Sequence, residues 1–275
     1  MEPTRPIFTV EPPPRGYGQP PKPPGRGGLW GMLIAGGAVL FKLALPFLVY
    51  FKTAGTMLIS IVAYWYAFHW TWSMAIGVVF LIFIHEMGHV IAAKWLGVPV
   101  SAPMFIPFLG AAIVMKQNPR DAWTEALVGY GGPLAGCLGS WVTWALAVYG
   151  DMPWLMPVAS LSFIINLFNM IPIPPLDGGR ICAAVSSWFW VIGLVLLFAS
   201  IIYFHAWNSI VIIVLVLLAA IPRMKETLFG RNTEEMQRYY RVHFADRITM
   251  ALLYVGLIAA LLLGYWHASN YLSNL

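Results

Sequence analysis

Two histidines and a glutamate fall within five residues of one another in the run His85-Glu86-Met87-Gly88-His89. On an α-helix, positions i and i+4 share a face about 6 Å apart, so the two imidazoles can be aimed at one metal ion. Glu86, one position on, then stands beside the ion and can take a proton from a water bound to it. The bland alternative is a pair of histidines hydrogen-bonded to neighbouring helices. A haem pair fits less well, because axial ligands on opposite faces of one iron come from different helices. His69, His205 and His267 lie near the ends of apolar runs, where interfacial imidazoles are ordinary, and they are given no role.

The element that must position these residues is an apolar run from Trp72 to Trp95, with the length and composition of a membrane-spanning helix. An ionisable side chain at that depth is costly and marks a functional site by default. The bland alternative would need a buried partner for each of three groups, which lipid does not supply. Composition agrees: 60% of residues are apolar and 10% charged, with a mean hydropathy of +0.74. This pattern predicts an all-α polytopic membrane protein. Apolar runs at 54–68, 72–95, 127–149, 154–171, 188–204, 207–222 and 248–267 predict about seven transmembrane helices. Leu29 to Phe51 is apolar too, but Lys42 and Pro46 interrupt it and Lys52 closes it, so 29–53 is expected to be an interfacial or partly inserted helix. An eighth span is the alternative there.

Basic residues lie in three places: Arg5, Arg15, Lys22 and Arg26; Lys94, Lys116 and Arg120; and Arg223, Lys225, Arg231, Arg238, Arg241 and Arg247. All three fall on the cytoplasmic side, with the N-terminus, if 72–95 runs inward and 248–267 outward. The metal site then lies in the cytoplasmic half of the bilayer. The net charge of +5 does not point to nucleic acid, since Glu226, Glu234 and Glu235 interleave the basic residues. Cys137 and Cys182 have no metal-type spacing and are expected to be small core residues. Residues 1–28 are rich in Pro and Gly, with no apolar signal-like region before Leu29, and predict a disordered cytoplasmic tail. A Pro-rich ligand motif at 11–24 is the alternative. Segments 188–222, 223–247 and 248–275 are expected to be accessory transmembrane helices, a charged cytoplasmic segment and a C-terminal transmembrane helix. Within the charged segment Thr233 is placed to cap a helix carrying Glu234 and Glu235 in its first turn, in what is otherwise expected to be a plain connector.

After the histidine helix, residues 99–116 are apolar yet too Pro-rich and short to span. Irregular backbone at membrane depth must be packed in protein or line a wet cavity, so the loop predicts a re-entrant β-hairpin-like element beside the metal site. Its edge, around Gly110, could pair with an extended peptide. The loop is too short for an independent peptide-binding domain. A catalytic zinc takes three protein ligands and leaves one position open. Between Leu127 and Pro222 the acids are Asp151, in a turn, and Asp177, which makes Asp177 the candidate third ligand. It ends Asn169-Met170-Ile171-Pro172-Ile173-Pro174-Pro175-Leu176-Asp177, whose prolines predict an extended segment running through Gly178 and Gly179 to Arg180. An Asp177–Arg180 ion pair in a plain turn is the alternative.

At 85–89 and 169–178 the chain resembles the site-2 protease family of intramembrane zinc metalloproteases, which pairs His-Glu-x-x-His with a later Asn-x-x-Pro-x-x-Pro-Leu-Asp-Gly. Gly132-Pro133 is similar to the Gly-Pro pair with which that family opens a helix between the two motifs. Three positions on, Gly136 stands where the family often has Asn. The resemblance covers roughly 54–187, which it implies is the membrane-embedded metalloprotease core. It implies that His85, His89 and Asp177 hold one zinc and that Glu86 is the general base. Asn169, Gly110, Gly132 and Pro133 would serve substrate binding, with Asn169 positioning substrate or ordering the extended segment. The implied partners are a transmembrane protein substrate and the lipid bilayer; the charge pattern fits a bacterial inner membrane or an organelle, and the small size without appended domains favours a prokaryotic cell membrane. Two other classes stay open. A metal or proton transporter would also place His and Asp at membrane depth, although no internal repeat is visible. An inactive relative that binds membrane helices would normally have lost Glu86 or a ligand.

Overall fold

A computed structural model describes residues 27–108, 110–204, 210–229 and 233–274. The expected tail and its Pro-rich motif lie outside the described residues, apart from Gly27 and Gly28, as do Leu109, His205 and Arg231. Residues 1–48 form one unit and 49–275 a second, which contains the candidate site. The described chain is mostly helical, with one small antiparallel hairpin.

Helix α1 runs from Gly27 to Phe68 without interruption, so no helix end falls at the expected boundary between 53 and 54. Helix α2 (Trp72–Trp95) coincides with the run read from the sequence. The Thr71 hydroxyl caps it, accepting from the Met74 N–H at 3.2 Å. At 1.5 Å per residue its 24 residues measure about 36 Å, enough to cross a hydrocarbon core of about 30 Å. Helix α9 (Phe244–Ser273) is longer still. Among the described residues these two are the helices long and apolar enough to cross a membrane, against about seven expected. The physical reasons for the shortfall differ. Helix α3 (Ala122–Tyr149) is long, but its glycines, Pro133 and tryptophans dilute its apolarity. Helix α4 (Met156–Asn169) has only 14 residues, and α6 (Phe189–Phe204) is described over 16, up to the edge of the described residues. Helix α7 (Ile210–Phe229) continues beyond its apolar run into Arg223, Lys225 and Glu226.

Between α2 and α3 the expected hairpin is present. Strands β1 (Met104–Ile106) and β2 (Gly110–Ala112) pair antiparallel, with Phe105 opposite Ala111, and Val100 bridges Met115 nearer the base. The hairpin stands alongside α2. Val98, Val100 and Met115 cluster with Ala93, while Phe105 packs with Ala75 and Val79 two to three turns before the histidines. At its tip the Phe108 ring meets Tyr64 and Phe68, each at 5.8 Å. Helix α1 satisfies the outer edge of β1: the Thr53 hydroxyl donates to the Pro103 carbonyl at 2.9 Å, and the Phe105 N–H donates to Thr56 Oγ1 at 3.2 Å. Backbone placed at membrane depth needs such partners.

Helix α4 measures about 21 Å and stops short of a full crossing. Pro172, Pro174 and Pro175 prevent its continuation. Once the prolines end, the chain becomes helical again as α5 (Asp177–Val185), with Leu176 as N-cap, where the sequence had suggested an extended segment through Arg180. The correction is local: Gly178, Gly179 and Arg180 turn in a helix that Asp177 opens. Helix α8 (Glu234–Tyr239) forms as expected under its cap, Met236 N–H donating to Thr233 Oγ1 at 3.3 Å. It is more than a connector, because the Tyr239 hydroxyl donates to the buried Glu125 carboxylate on α3 at 2.6 Å.

Candidate metal centre

The histidines sit on a face of α2 that approaches α3 closely. A Cβ built on Gly88 would lie 2.2 Å from the Gly131 carbonyl oxygen, and one on Gly131 would lie 2.7 Å from the Ala92 Cβ. Small residues therefore allow the two backbones to touch, as in tightly packed membrane helices. This contact seats the next residue, His89, against α3, where its Nδ1 donates to the Val128 carbonyl at 2.7 Å. Pro133 is buried within α3 and does not open it; the helix begins eleven residues earlier at Ala122, capped by Asp121. The Gly132 Cα faces the His89 ring, and a Cβ there would lie 2.1 Å from Nε2. The structure thus places Gly132 as clearance for a candidate ligand.

His85, one turn earlier, is held from α4. Its Nδ1 lies 2.9 Å from Asn166 Oδ1, and the same amide donates through Nδ2 to the Ser162 carbonyl at 2.9 Å. Since Nδ2 must be the donor to a carbonyl, Oδ1 is the atom facing His85, and His85 Nδ1 carries the proton. Asn166 fits because Gly136 leaves room: a Cβ at 136 would stand 2.1 Å from Asn166 Oδ1. The position that departs from the family pattern is therefore occupied in space by an asparagine from another helix. Asn166 was not singled out from the sequence. The available signal was an amide in the middle of an apolar helix, which lipid depth makes expensive.

Asp177, at the N-terminus of α5, completes the cluster. Its Oδ2 lies 3.1 Å from His85 Nε2 and 3.3 Å from His89 Nε2, and the two Nε2 atoms are 3.1 Å apart. All three residues are buried, at 7% exposure or less. Burial disfavours a charged carboxylate, and the two imidazole nitrogens within 3.3 Å are the polar partners Asp177 finds there. A helix N-terminus also favours the anion. The alternative pair with Arg180 does not form: Asp177 faces the histidines, and the Arg180 Nε is buried without a hydrogen-bond partner among the described residues.

The donor set passes a simple test for a metal. With both Nδ1 atoms donating elsewhere, neutral imidazoles turn two lone pairs and one carboxylate oxygen toward a common point. Three acceptors turned to one point make a set that a cation fits. Ligand atoms about 2.0–2.1 Å from a tetrahedral zinc stand about 3.3 Å apart, close to the observed 3.1–3.3 Å. Glu86 is buried one position along α2, with no hydrogen bond to a described residue. The structure does not bring every candidate to this point. Asn169 ends α4, and its side chain makes no hydrogen bond to a described residue. Gly110 opens β2 with φ of +93°, a left-handed conformation suited to glycine, on a strand that packs against α2.

Residues 73–152 match the model of peptidase family M50. A zinc metalloprotease of Methanocaldococcus jannaschii is 31% identical over 109 residues, which are 38% of this chain and 31% of the relative. The chain thus aligns with under a third of that protein's length. The matched stretch holds both histidines and Glu86 on α2 and their glycine-lined seat on α3, and it is similar to peptidase family M50, the site-2 protease family that the two motifs resemble.

Proposed function

We propose that the protein is a multi-pass intramembrane zinc metalloprotease that hydrolyses a peptide bond within or next to a transmembrane segment of another membrane protein. The observation that carries the reading is the convergence of His85, His89 and Asp177 on one point, with Glu86 on the same turn of α2. Zinc bound by these three residues would lower the pKa of a water towards about 7 and so supply a nucleophile at neutral pH. Glu86 takes the proton of that water and returns it to the leaving amine. Asn166 and the Val128 carbonyl fix the tautomer and orientation of the two imidazoles throughout.

A helical substrate shields its amide within its own hydrogen bonds, so the reacting stretch must unwind. The hairpin offers compensation. Because the Phe105 N–H points to α1, the opposed Ala111 belongs to a pair that turns its backbone groups outward, on the side of β2 away from β1. No described residue bonds to that edge. An extended substrate strand placed there would regain backbone hydrogen bonds beside the histidine turn. Gly110, Gly132, Pro133 and Asn169 remain candidate substrate-side residues in this reading. The Trp95 end of α2 faces the cytoplasm, as does the N-terminus, with the site about 9–15 Å from that helix end.

The deciding experiment measures zinc content and cleavage of a transmembrane substrate by the native chain and by Glu86→Gln. About one zinc per chain in both, with cleavage only in the native chain, is the expected result. A metal-free native chain that moves ions across vesicles would support a transporter instead. Unimpaired cleavage by Glu86→Gln would remove Glu86 from its role.

A further inference from the structure

Arg180 follows Asp177 by one turn of α5, and no step described so far uses it. Its Nε is buried and has no acceptor among the described residues, while the nearby carboxylate of Asp177 is turned to the histidines. Its stem crosses α3 at Gly129, where a Cβ would stand 3.1 Å from the Arg180 Cβ. Gly129 adjoins Val128, the residue that holds His89. A buried N–H of a cation with no acceptor is costly, and one turn from the candidate metal cluster an anion formed during the reaction is a partner that would satisfy it.

On the protease reading that anion has one source. When the water oxygen bonds to the scissile carbonyl carbon, the π pair moves onto the carbonyl oxygen. When the carbon–nitrogen bond then breaks, that pair returns, and the nitrogen leaves with the proton held by Glu86. We propose that Arg180 is a further catalytic residue, whose guanidinium donates hydrogen bonds to the carbonyl oxygen of the scissile amide while that oxygen carries the negative charge. Donors of this kind act on the transition state more than on the bound substrate.

The test uses the full-length chain carrying Arg180→Gln or Arg180→Lys. Three quantities are read: zinc content, kcat and KM on a transmembrane peptide, and affinity for a phosphinic peptide, whose tetrahedral anion resembles the oxyanion. For Arg180→Gln, kcat should fall about 100-fold while KM stays within about twofold. Affinity for the phosphinic peptide should fall by a similar factor, zinc content should stay at the native level, and Arg180→Lys should recover part of the loss. Native kcat in Arg180→Gln overturns the assignment, and so does loss of zinc in both variants, which would make Arg180 a structural residue. Failure of the protease reading looks different, since the native chain itself would then neither cleave the peptide nor bind the phosphinic analogue.

Discussion

The two histidines and the aspartate reach the same point by opposite means. His85 and His89 ride on an unbroken helix pressed against α3 through Gly88 and Gly131, so their spacing follows from helical geometry and a backbone contact with no slack. Asp177 arrives on a broken path, where α4 stops, prolines carry the chain through 170–176, and α5 begins at the ligand itself. That path is held by struts from elsewhere. The Tyr254 hydroxyl donates to the Met170 carbonyl, Trp190 Nε1 donates to the Gly179 carbonyl at 2.8 Å, and Arg247 donates to the Val185 carbonyl at 3.1 Å. One half of the site is fixed by packing and the other by hydrogen bonds at a helix break.

Removing a ligand from either half should erase this contrast, because a metal with two protein ligands is weakly held whichever two remain. Asp177→Ala and His89→Ala are both expected to lose zinc beyond the range of about 10–100-fold that follows from disturbing a residue behind a ligand. Zinc content after equilibrium with a chelating buffer measures this. Zinc retained at native levels in Asp177→Ala would remove the broken half from the site.

The contrast sharpens at Gly88. Gly88→Val puts side-chain atoms where the Gly131 backbone stands, and destabilisation of about 3 kcal/mol or more is expected, with zinc lost in parallel. Gly256→Ala on α9, where nothing lies within 4 Å of the added methyl, should leave thermal stability unchanged or raise it by about 0.5–1 kcal/mol. Equal Tm values for the two variants would mean that the α2–α3 contact does not set the packed half.

Asn166→Ala tests how far that half depends on its neighbour. Without Oδ1 to accept from Nδ1, the His85 ring loses its fixed tautomer, and zinc affinity should fall about 10–100-fold while the helices stay folded. Zinc titration monitored alongside circular dichroism separates the two effects. A loss below threefold would show that packing alone orients His85.

This division also explains what could be read in advance. The i, i+4 histidine pair, the limits of α2, the Thr233 cap and the hairpin are local features, each set by residues close in sequence. Asp177 could be named because few acids compete with it in the apolar half of the chain. Asn166 could not, since its partner is 81 positions away and its fit depends on the missing side chain at Gly136. The opening of α5 at Asp177 was hidden by the prolines before it, which suggested extended backbone further than they enforce it. Pairing of Asp177 with Arg180 was a reasonable local guess that the two imidazoles override.

The smallest expected effect tests the struts of the broken half. Trp190 is buried, and Trp190→Phe keeps most of its packing against Ile173 and Ala183 while removing the donor to Gly179. The Gly179 carbonyl keeps its helical bond from the Ala183 N–H, so loss of the second donor costs about 0.5–1.5 kcal/mol, and that should appear as a lower Tm. Because Gly179 is two residues beyond Asp177, loosening it should also weaken zinc binding, but by less than Asn166→Ala does, since Asp177 keeps both imidazoles and the helix N-terminus as partners. A zinc loss as large as that of Asn166→Ala would mean that the hydrogen-bonded half of the site has no reserve beyond this single strut. A drop in Tm with zinc affinity untouched would assign Trp190 to the packing of α5 against α6 alone.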